Sequence, residues 1–471
     1  MFRNLLFSMI MLASQNLFSH QQSPKVVVIG AGLSGLITAY RLHKEGWDVD
    51  LYEARNRVGG RIFTVNIEGH LDELGGRNIL DGGSAEHMKA LINEMGLETE
   101  EAKTHLQIYY SDDGELYEFE EILKDREFVP EALKSQLELL KKSSRNMQEV
   151  LQALFDENDI LYKVCAVHLS GYEGADIDKL STNYVWTLYN YLLGGISAAN
   201  QTSCDQEKTY FEYLMIKGGN YLLAERLAEK LSTRLHLNHE LKKITKSPMG
   251  SYLLSFQNGK QVTADILVLA IPCPTYKNIS IGNEVIPSKK QSDIENICYA
   301  QITRVSLPLP PLQAKEAFYT NGRMVTMINQ DKSILDLHYI SQLHEATLEE
   351  TLAKDFSFLQ KIYGIDSSPH PIMASDESLS FYKGAVAHSW AKDRFAQGAY
   401  SCCGAGQEEL FTSTIEIGGK KVKTLFAPID NSLFFAGEHT SILVDVCGTM
   451  EAAVEAGIRA AWLVDKCCLK H

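Results

Sequence analysis

Positive charge is scarce in this sequence. It contains 45 lysines and arginines and 60 aspartates and glutamates, so the formal net charge of the 471 residues is −15. Proteins that bind nucleic acid need a basic face against the phosphates. The composition therefore argues against a nucleic-acid partner, and it is compatible with a cationic substrate.

Regularly spaced cysteines are also missing. The nine cysteines are scattered along the chain and no C-x-x-C pair occurs. This spacing argues against a disulfide framework and against a zinc site. We therefore expect mostly reduced, partly buried thiols and no bound metal.

Long apolar runs are confined to the start of the chain. Arg3 precedes the apolar residues 5–13, and Ser19 follows. This pattern predicts a secretory signal peptide over residues 1–22, which is too short to span a membrane. We expect export to the periplasm or the exterior, with an uncleaved tether or a disordered tail on a cytoplasmic protein as the alternatives. No transmembrane anchor is expected elsewhere.

Residues 25–53 form a recognisable unit. The β-branched run Lys25–Ile29 predicts a buried parallel strand, and residues 30–35 read GAGLSG. The next residues predict a helix ended by Gly46, and a second strand at Asp48–Tyr52 follows. A strand, a glycine turn, a helix and a strand in this order are typical of a dinucleotide-binding half.

Each glycine of this unit has a physical task. Gly30 permits the tight turn, Gly32 lets the backbone approach a pyrophosphate, and Gly35 lets helix and strand pack closely. Leu33 and Ser34 open the helix, where unpaired N–H groups and the positive dipole end attract phosphates.

The residues after the second strand distinguish NAD from FAD. Glu53 stands 18 residues after Gly35, where a carboxylate accepts both ribose hydroxyls and disfavours a 2′-phosphate. A second glycine pair, Gly59 and Gly60, precedes Arg61, whose guanidinium can bind two phosphate oxygens at once. A nicotinamide-dependent dehydrogenase has no need of this additional loop, so FAD is favoured.

Two later stretches continue the same kind of domain. One is an amphipathic helix in residues 217–231 followed by strands to about residue 272, and the other is residues 432–466. We predict an FAD-binding domain from residues 24–85, 211–275 and 425–466, and a substrate-binding domain from residues 86–210 and 276–424.

Acidic residues are concentrated in residues 98–127, which contain eleven acidic and three basic residues. Asp113 and Gly114 predict a hairpin turn within this stretch. The acidic surface is either a solvated face or a funnel that attracts cationic amines, and both interpretations stay open.

Four blocks of sequence carry a family resemblance. They are VVVIGAGLSGL with EARNRVGGR, ELGGRNI (residues 73–79), SWAKDRFAQGAYS (residues 389–401), and FFAGEHT with GTMEAAVEAGIRAA. Together they resemble the flavin-containing amine oxidases, a family that includes monoamine, polyamine and L-amino-acid oxidases. The resemblance implies an α/β fold, in which a Rossmann-like, glutathione-reductase-like FAD domain is assembled from three segments beside an α+β substrate domain.

The resemblance also implies where FAD binds. Glu438 would contact the ribityl or phosphate region, and Thr449 and Met450 would turn a helix N-terminus towards the N1–C2=O edge of the flavin. Leu241 is either packed against the adenine or an ordinary core leucine. The complete set of implied contacts is Gly30, Gly32, Leu33, Ser34, Gly35, Glu53, Arg55, Gly60, Arg61, Gly75, Gly76, Arg77, Asn78, Leu241, Glu438 and Met450.

Catalytic positions follow from the same resemblance. Tyr400 matches an aromatic residue beside the substrate face of the flavin, and Thr449 occupies the position of a second one. Arg304 matches a lysine that assists oxygen, but arginine does not lose its proton. Ala399 replaces the cysteine that attaches flavin covalently in monoamine oxidases, so non-covalent FAD is expected. Arg77 is one position away from a residue that binds substrate carboxylates, and alternation along the backbone turns it away.

The implied reaction is oxidation of a primary or secondary amine to an imine, by hydride transfer to flavin N5 with O2 as acceptor. A desaturase or dehydrogenase that uses a different acceptor and a non-catalytic carrier of the same fold are the alternatives. The identity of the amine and the oligomeric state stay open.

Overall fold

The computed structural model describes residues 24–81, 83–105, 108–112, 115–124, 126–193, 210–309, 317–329, 333–340, 347–443 and 446–468. The leader predicted over residues 1–22 and the turn predicted at Asp113 and Gly114 lie outside the described residues. Within these ranges, no helix combines the length and the apolar character that a membrane span requires.

A five-stranded parallel sheet forms the centre of the dinucleotide part. Three separate stretches of chain contribute to it, the stretches assigned above to one domain, although the limits of the two domains stay a prediction. In spatial order its strands are Leu433–Phe435, Ile266–Leu269, Lys25–Ile29, Asp48–Tyr52 and Leu235–His236.

Both faces of this sheet are covered, which explains why its central strand is a continuous apolar run. Val26 and Val28 pack with helices Leu33–Lys44, Tyr221–Leu231 and Met450–Cys467. The alternate residues face a four-stranded sheet. The strands of that second sheet are Gln261–Ala264, Tyr252–Phe256, Leu241–Lys246 and Ser280–Ile281.

Glycines lie next to the ends of two of these helices, as the sequence indicates. Helix Leu33–Lys44 ends just before Gly46, which has a φ of +81°. Gly218 and Gly219 have φ values of +90° and +106°, so this pair forms a turn and the helix predicted from residue 217 begins later, at Tyr221.

An eight-stranded sheet dominates the second part of the molecule. Both insertions contribute to it, because strand Ile108–Asp112 of the first pairs in parallel with Phe318–Thr320 of the second. In spatial order its strands are Ile372–Met373, Val386–Ser389, Ile302–Pro308, Ile334–Ile340, Met324–Ile328, Phe318–Thr320, Ile108–Asp112 and Glu115–Glu118.

Smaller sheets and further helices complete the fold. The remaining strands are Phe381–Tyr382, Thr64–Ile67 and His70–Glu73 in one sheet, Thr99–His105 with Tyr210–Ile216, and Thr414–Ile417 with Lys420–Lys423. The remaining α-helices are Glu86–Glu94, Phe119–Lys124, Pro130–Ser143, Met147–Leu154, Ile160–Glu173, Val185–Leu192, Ser288–Glu295, Leu348–Tyr363 and Glu408–Thr412.

Candidate active site

A large cavity extends along both parts of the fold. Its volume of about 1200 Å³ exceeds the roughly 300–1,000 Å³ of a typical small-ligand pocket. Among the predicted site residues, Gly35 is not part of its wall. The following predicted residues line the cavity: Gly30, Gly32, Leu33, Ser34, Glu53, Arg55, Gly60, Arg61, Gly75, Gly76, Arg77, Asn78, Leu241, Arg304, Tyr400, Glu438, Thr449 and Met450. The fold thus brings distant motifs together, and the role of each residue stays a prediction.

The two glycine turns meet in the wall of this cavity. Gly59 donates its N–H to Ala31 O at 2.9 Å, and Gly32 and Gly59 form an isolated parallel bridge. A Cβ on Gly60 would lie 3.1 Å from the Cα of Gly32, whereas a Cβ on Gly32 would meet no atom within 4 Å. Gly32 therefore faces open space, where a phosphate can approach the backbone.

Gly35 acts from behind this wall. A Cβ there would lie 1.9 Å from the carbonyl oxygen of Gly30, so only glycine lets the helix pass so close to the turn. Next to it, the hydroxyl of Ser34 is buried in the cavity wall without a hydrogen-bond partner in the described part of the chain. A buried polar group of this kind at a helix N-terminus is suited to a phosphate oxygen. These residues fit the pyrophosphate of FAD.

Glu53 lies beside the same turns. Its two carboxylate oxygens accept the N–H of Ala31 at 2.7 Å and the N–H of Arg55 at 2.9 Å. Burial raises the pKa of Glu53, and these N–H groups oppose the shift. Each oxygen keeps a lone pair for a ribose hydroxyl. Leu241 lies nearby, two residues after His239, whose N–H donates to the Glu53 carbonyl at 2.7 Å.

The side chain of Arg55 is engaged differently from the predicted cofactor contact. Its guanidinium pairs with Asp376 at 2.9 Å and with Asp393 at 2.5 Å. Both carboxylates belong to the second insertion, so Arg55 links the two parts of the fold at the cavity edge. Sequence reasoning did not identify Asp393 as a partner, although it lies inside the SWAKDRF block.

Arg61 and Glu438 come from opposite ends of the chain and form an ion pair at 3.0 Å. Arg61 also donates to the Ala399 carbonyl at 2.8 Å, and the hydroxyl of Ser401 donates to Glu438 at 2.6 Å. Burial alone would raise the pKa of Glu438, but Arg61 and the Ser401 hydrogen bond hold it below its ordinary value. Glu438 is therefore a carboxylate, and it holds Ser401, the residue after Tyr400, in place.

The loop after strand His70–Glu73 lies close to the start of the last helix. A Cβ on Gly75 would lie 2.1 Å from the carbonyl oxygen of Arg61, and one on Gly76 would lie 3.1 Å from the side chain of Met450. The side chain of Asn78 accepts the N–H of Leu214 at 3.0 Å. Glycines at these two positions therefore let the loop run along the cavity wall without side chains in the way.

Tyr400 lies at the N-terminus of the last helix. A Cβ on Gly448 would lie 3.0 Å from the Tyr400 ring, and the Tyr400 hydroxyl donates to the Tyr172 carbonyl at 3.0 Å. Thr449 caps the helix, because its side chain accepts the Ala452 N–H at 3.2 Å. Tyr400 and Thr449 are thus neighbours in the cavity wall. The positive end of the dipole of helix Met450–Cys467 lies beside them.

Arg304 and Arg77 share a buried network of charges. Arg304 donates to the Glu73 carbonyl at 2.9 Å and lies 3.3 Å from Asp336. Arg77 pairs with Asp336 at 3.0 Å and with Asp72 at 2.5 Å. Both guanidinium groups are therefore neutralised by carboxylates of the protein itself. The carboxylates that bind Arg77 belong to the protein, and a substrate-carboxylate role for Arg77, which alternation along the backbone already disfavoured, gains no support.

An acidic residue that no motif revealed lines the same cavity. Glu173 ends helix Ile160–Glu173 and lines the cavity, and hydrogen bonding from the Tyr184 hydroxyl favours the ionised form of its carboxyl group. That hydroxyl in turn accepts the Cys403 N–H at 2.8 Å. Enclosure by the protein raises the pKa of Glu173 to about 8. The charge of Glu173 also acts on Tyr400, so this carboxyl belongs to the part of the cavity nearest the predicted substrate position.

Known proteins resemble most of the chain. A family model described as flavin containing amine oxidoreductase matches residues 33–465. Polyamine oxidase 4 of Oryza sativa subsp. japonica is 24% identical over 94% of this chain and 88% of its own length. Lysine-specific histone demethylase 1 homolog 1 of Arabidopsis thaliana is 24% identical over 94% of this chain and 52% of its own length. The structure of cyclohexylamine oxidase from Brevibacterium oxydans IH-35A has a TM-score of 0.70 and 19% identity, with coverage of 95% of this chain and 100% of that chain. The predicted fold class is confirmed.

Proposed function

The chain belongs to the flavin containing amine oxidoreductase family and uses FAD, and from this premise we propose that it oxidises amines that carry a second cationic group and no carboxylate. The family and the class of enzyme predicted from the sequence are confirmed. A non-catalytic carrier is set aside by the same finding. The amine, the electron acceptor and the mode of FAD attachment are parts of the proposal.

Bound FAD supplies the hydride acceptor for the carbon next to the amine nitrogen. The protein's own residues position the substrate. Tyr400 offers its ring to the neutral amine, and the N-terminus of helix Met450–Cys467 offers a positive dipole end to negative charge that develops nearby. The observation that carries this assignment is that Tyr400 packs on Gly448, immediately before that helix, in the same cavity as both glycine turns.

Charge at the cavity wall supports the substrate class. Arg77 and Arg304 are each paired with Asp336, so they offer no free guanidinium to a substrate carboxylate. Glu173, by contrast, offers a carboxyl group close to Tyr400, where it can bind a second ammonium group of a diamine or polyamine. The similarity to a protein named Polyamine oxidase 4 supports the same class.

Molecular oxygen is the proposed acceptor, with hydrogen peroxide as product. A dehydrogenase with another acceptor is the second candidate, because Arg304 stands where related oxidases use lysine and its guanidinium is held by Asp336 and the Glu73 carbonyl. Arginine keeps its charge but cannot deliver a proton.

An anaerobic titration tests the proposal. The purified yellow enzyme is mixed without oxygen with diamines, polyamines, monoamines of matched length and L-amino acids, and loss of the oxidised flavin absorbance is followed. We expect bleaching by diamines and polyamines at the lowest concentrations, and recovery of colour with formation of peroxide when air is admitted. Preferential bleaching by amino acids would contradict the substrate class. Recovery of colour only with a quinone or another added acceptor would identify a dehydrogenase.

A further inference from the structure

Two cysteine side chains are in contact close to Tyr400 in the fold. The sulfur atoms of Cys298 and Cys402 are 3.1 Å apart, about 1 Å more than the length of a disulfide bond. Cys402 is buried and Cys298 is half-buried. This contact plays no part in the amine chemistry proposed above.

The backbone holds the two cysteines directly opposite each other. Tyr299 and Ser401 form an antiparallel bridge, and Cys402 donates its N–H to the Cys298 carbonyl at 3.0 Å. Opposed residues in antiparallel strands have Cα atoms about 4.5–5.5 Å apart, and disulfides need Cα separations of about 4.4–6.8 Å. A bond between these sulfurs therefore requires small side-chain rotations and no rearrangement of the two backbone segments.

The electrostatic surroundings give the two thiols different reactivity. The hydrogen bond from Cys402 lowers the pKa of Cys298, and the ammonium group of Lys179 acts in the same direction. The same hydrogen bond, together with burial, raises the pKa of Cys402. Cys298 is thus the more acidic and the more accessible thiol, which are the properties of an attacking cysteine.

We propose that Cys298 and Cys402 form a reversible redox pair, which hydrogen peroxide converts into an intramolecular disulfide. The Cys298 thiolate attacks peroxide, its O–O bond breaks, and a sulfenic acid forms while the released hydroxide takes up a proton to give water. The Cys402 sulfur then attacks the Cys298 sulfur, the S–O bond breaks, and the Cys402 proton leaves with the hydroxide as a second water. Two thiols are oxidised by two electrons and one peroxide is reduced to two waters.

The position of this pair connects it to the substrate end of the cavity. Ala300 donates its N–H to the Tyr400 carbonyl at 2.8 Å, so the segment that carries Cys298 is also hydrogen-bonded to Tyr400, two residues before Cys402. The disulfide would join residues 400–402 covalently to the neighbouring residues 298–300. The proposal does not depend on which amine the enzyme oxidises, because the peroxide in the test is added.

Peptide mapping of the intact holoenzyme tests the pair. The reduced, desalted protein is treated with a small excess of hydrogen peroxide, free thiols are alkylated, and the protein is digested with trypsin. Cys298 lies in the tryptic peptide of residues 291–304, and Cys402 lies with Cys403 in that of residues 395–420. We expect these peptides joined, at a mass two hydrogens below their sum plus one alkyl group on Cys403, and separated again by dithiothreitol.

Variants assign the bond within the second peptide. Cys403→Ser is the matched control and should retain the link, whereas Cys402→Ser should lose it and leave Cys298 as a sulfenic acid that dimedone traps. Cys298→Ser should abolish both products. Two alkylated peptides in the peroxide-treated wild type would refute the proposal, as would a link to Cys403 or to Cys447. Fragment-ion spectra of the joined wild-type peptides show whether Cys402 or Cys403 carries the alkyl group, so the wild-type mapping decides this even if a variant fails to fold.

Discussion

Replacing Glu173 by glutamine removes a carboxyl group from the cavity wall while keeping the shape of the side chain. A charge-assisted hydrogen bond between a carboxylate and an ammonium group contributes about 1.5–3 kcal/mol. Each 1.4 kcal/mol is about a tenfold change, so at pH 9, above the Glu173 pKa of about 8, we expect kcat/KM for a diamine to fall about 10- to 100-fold. For a monoamine of matched length, which has no second ammonium group, we expect less than about a twofold change.

The pH dependence gives a second, independent reading of the same group. With a pKa of about 8, about one Glu173 carboxyl in ten is ionised at pH 7 before substrate binds. A cationic group selects the ionised form, so binding releases a proton and tightens as pH rises. The diamine KM should fall by up to about tenfold per pH unit between about pH 6 and 8 and level off above that. Deprotonation of the reacting amine affects both substrates, so the monoamine profile serves as the correction.

Steady-state kinetics of the wild type, Glu173→Gln and Glu120→Gln, each with both substrates from pH 6 to 9, provide the assay. Glu120 is an exposed residue of the acidic stretch, and its variant replaces a carboxyl group by an amide in the same way. We expect Glu120→Gln to behave as the wild type at physiological salt, because exposed charges are screened beyond about 8 Å. Equal losses for diamine and monoamine in Glu173→Gln would refute the local ion pair, and equal losses in both variants would instead support an acidic funnel.

Three further predictions concern the cofactor and the acceptor. Gly60→Ala should lower FAD occupancy of the purified protein, because its Cβ would lie 3.1 Å from Gly32 Cα. Gly69→Ala is the control, because Gly69 also has a positive φ but has open space around it. This variant should lose about 1 kcal/mol of stability and keep the flavin. Arg304→Lys should speed reoxidation of the reduced enzyme by oxygen by about tenfold or more, because lysine can transfer a proton; an unchanged rate in stopped flow would contradict this. Precipitation with acid should release all yellow colour into the supernatant, because Ala399 offers no thiol to the flavin, and colour retained in the pellet would show covalent attachment.

The fold of the cofactor-binding part could be predicted from the sequence because the patterns that specify it are local. The predicted strands at Lys25–Ile29 and Asp48–Tyr52 have the bounds that the structure shows. A β-branched run, a glycine that needs a positive φ and a glycine that needs close approach each leave a mark within a few residues. The helix near residue 217 began too early in the prediction, since Gly218 and Gly219 fit a helix N-terminus by composition and only their φ values identify a turn.

Pairings across the chain were not accessible in this way. Arg55 and Asp393 are separated by 338 positions, and nothing local in either motif indicates that they meet. The Arg77 network draws its carboxylates from Asp72 and Asp336, on strands of two different sheets. Glu173 belongs to no motif, and its raised pKa depends on an environment that only the folded chain creates.

The distribution of charge explains why the family's motifs do not specify the amine. The motif residues Arg61 and Glu438 neutralise each other, and Arg77 is neutralised by Asp72 and Asp336. Their charges are therefore fixed whatever amine binds, and they discriminate little between amines of different charge. Glu173 differs because its enclosure favours the neutral acid, which a second ammonium group of the substrate can convert to a carboxylate. The substrate selection that we propose therefore depends on a residue outside the motifs, at the end of helix Ile160–Glu173 in the first insertion.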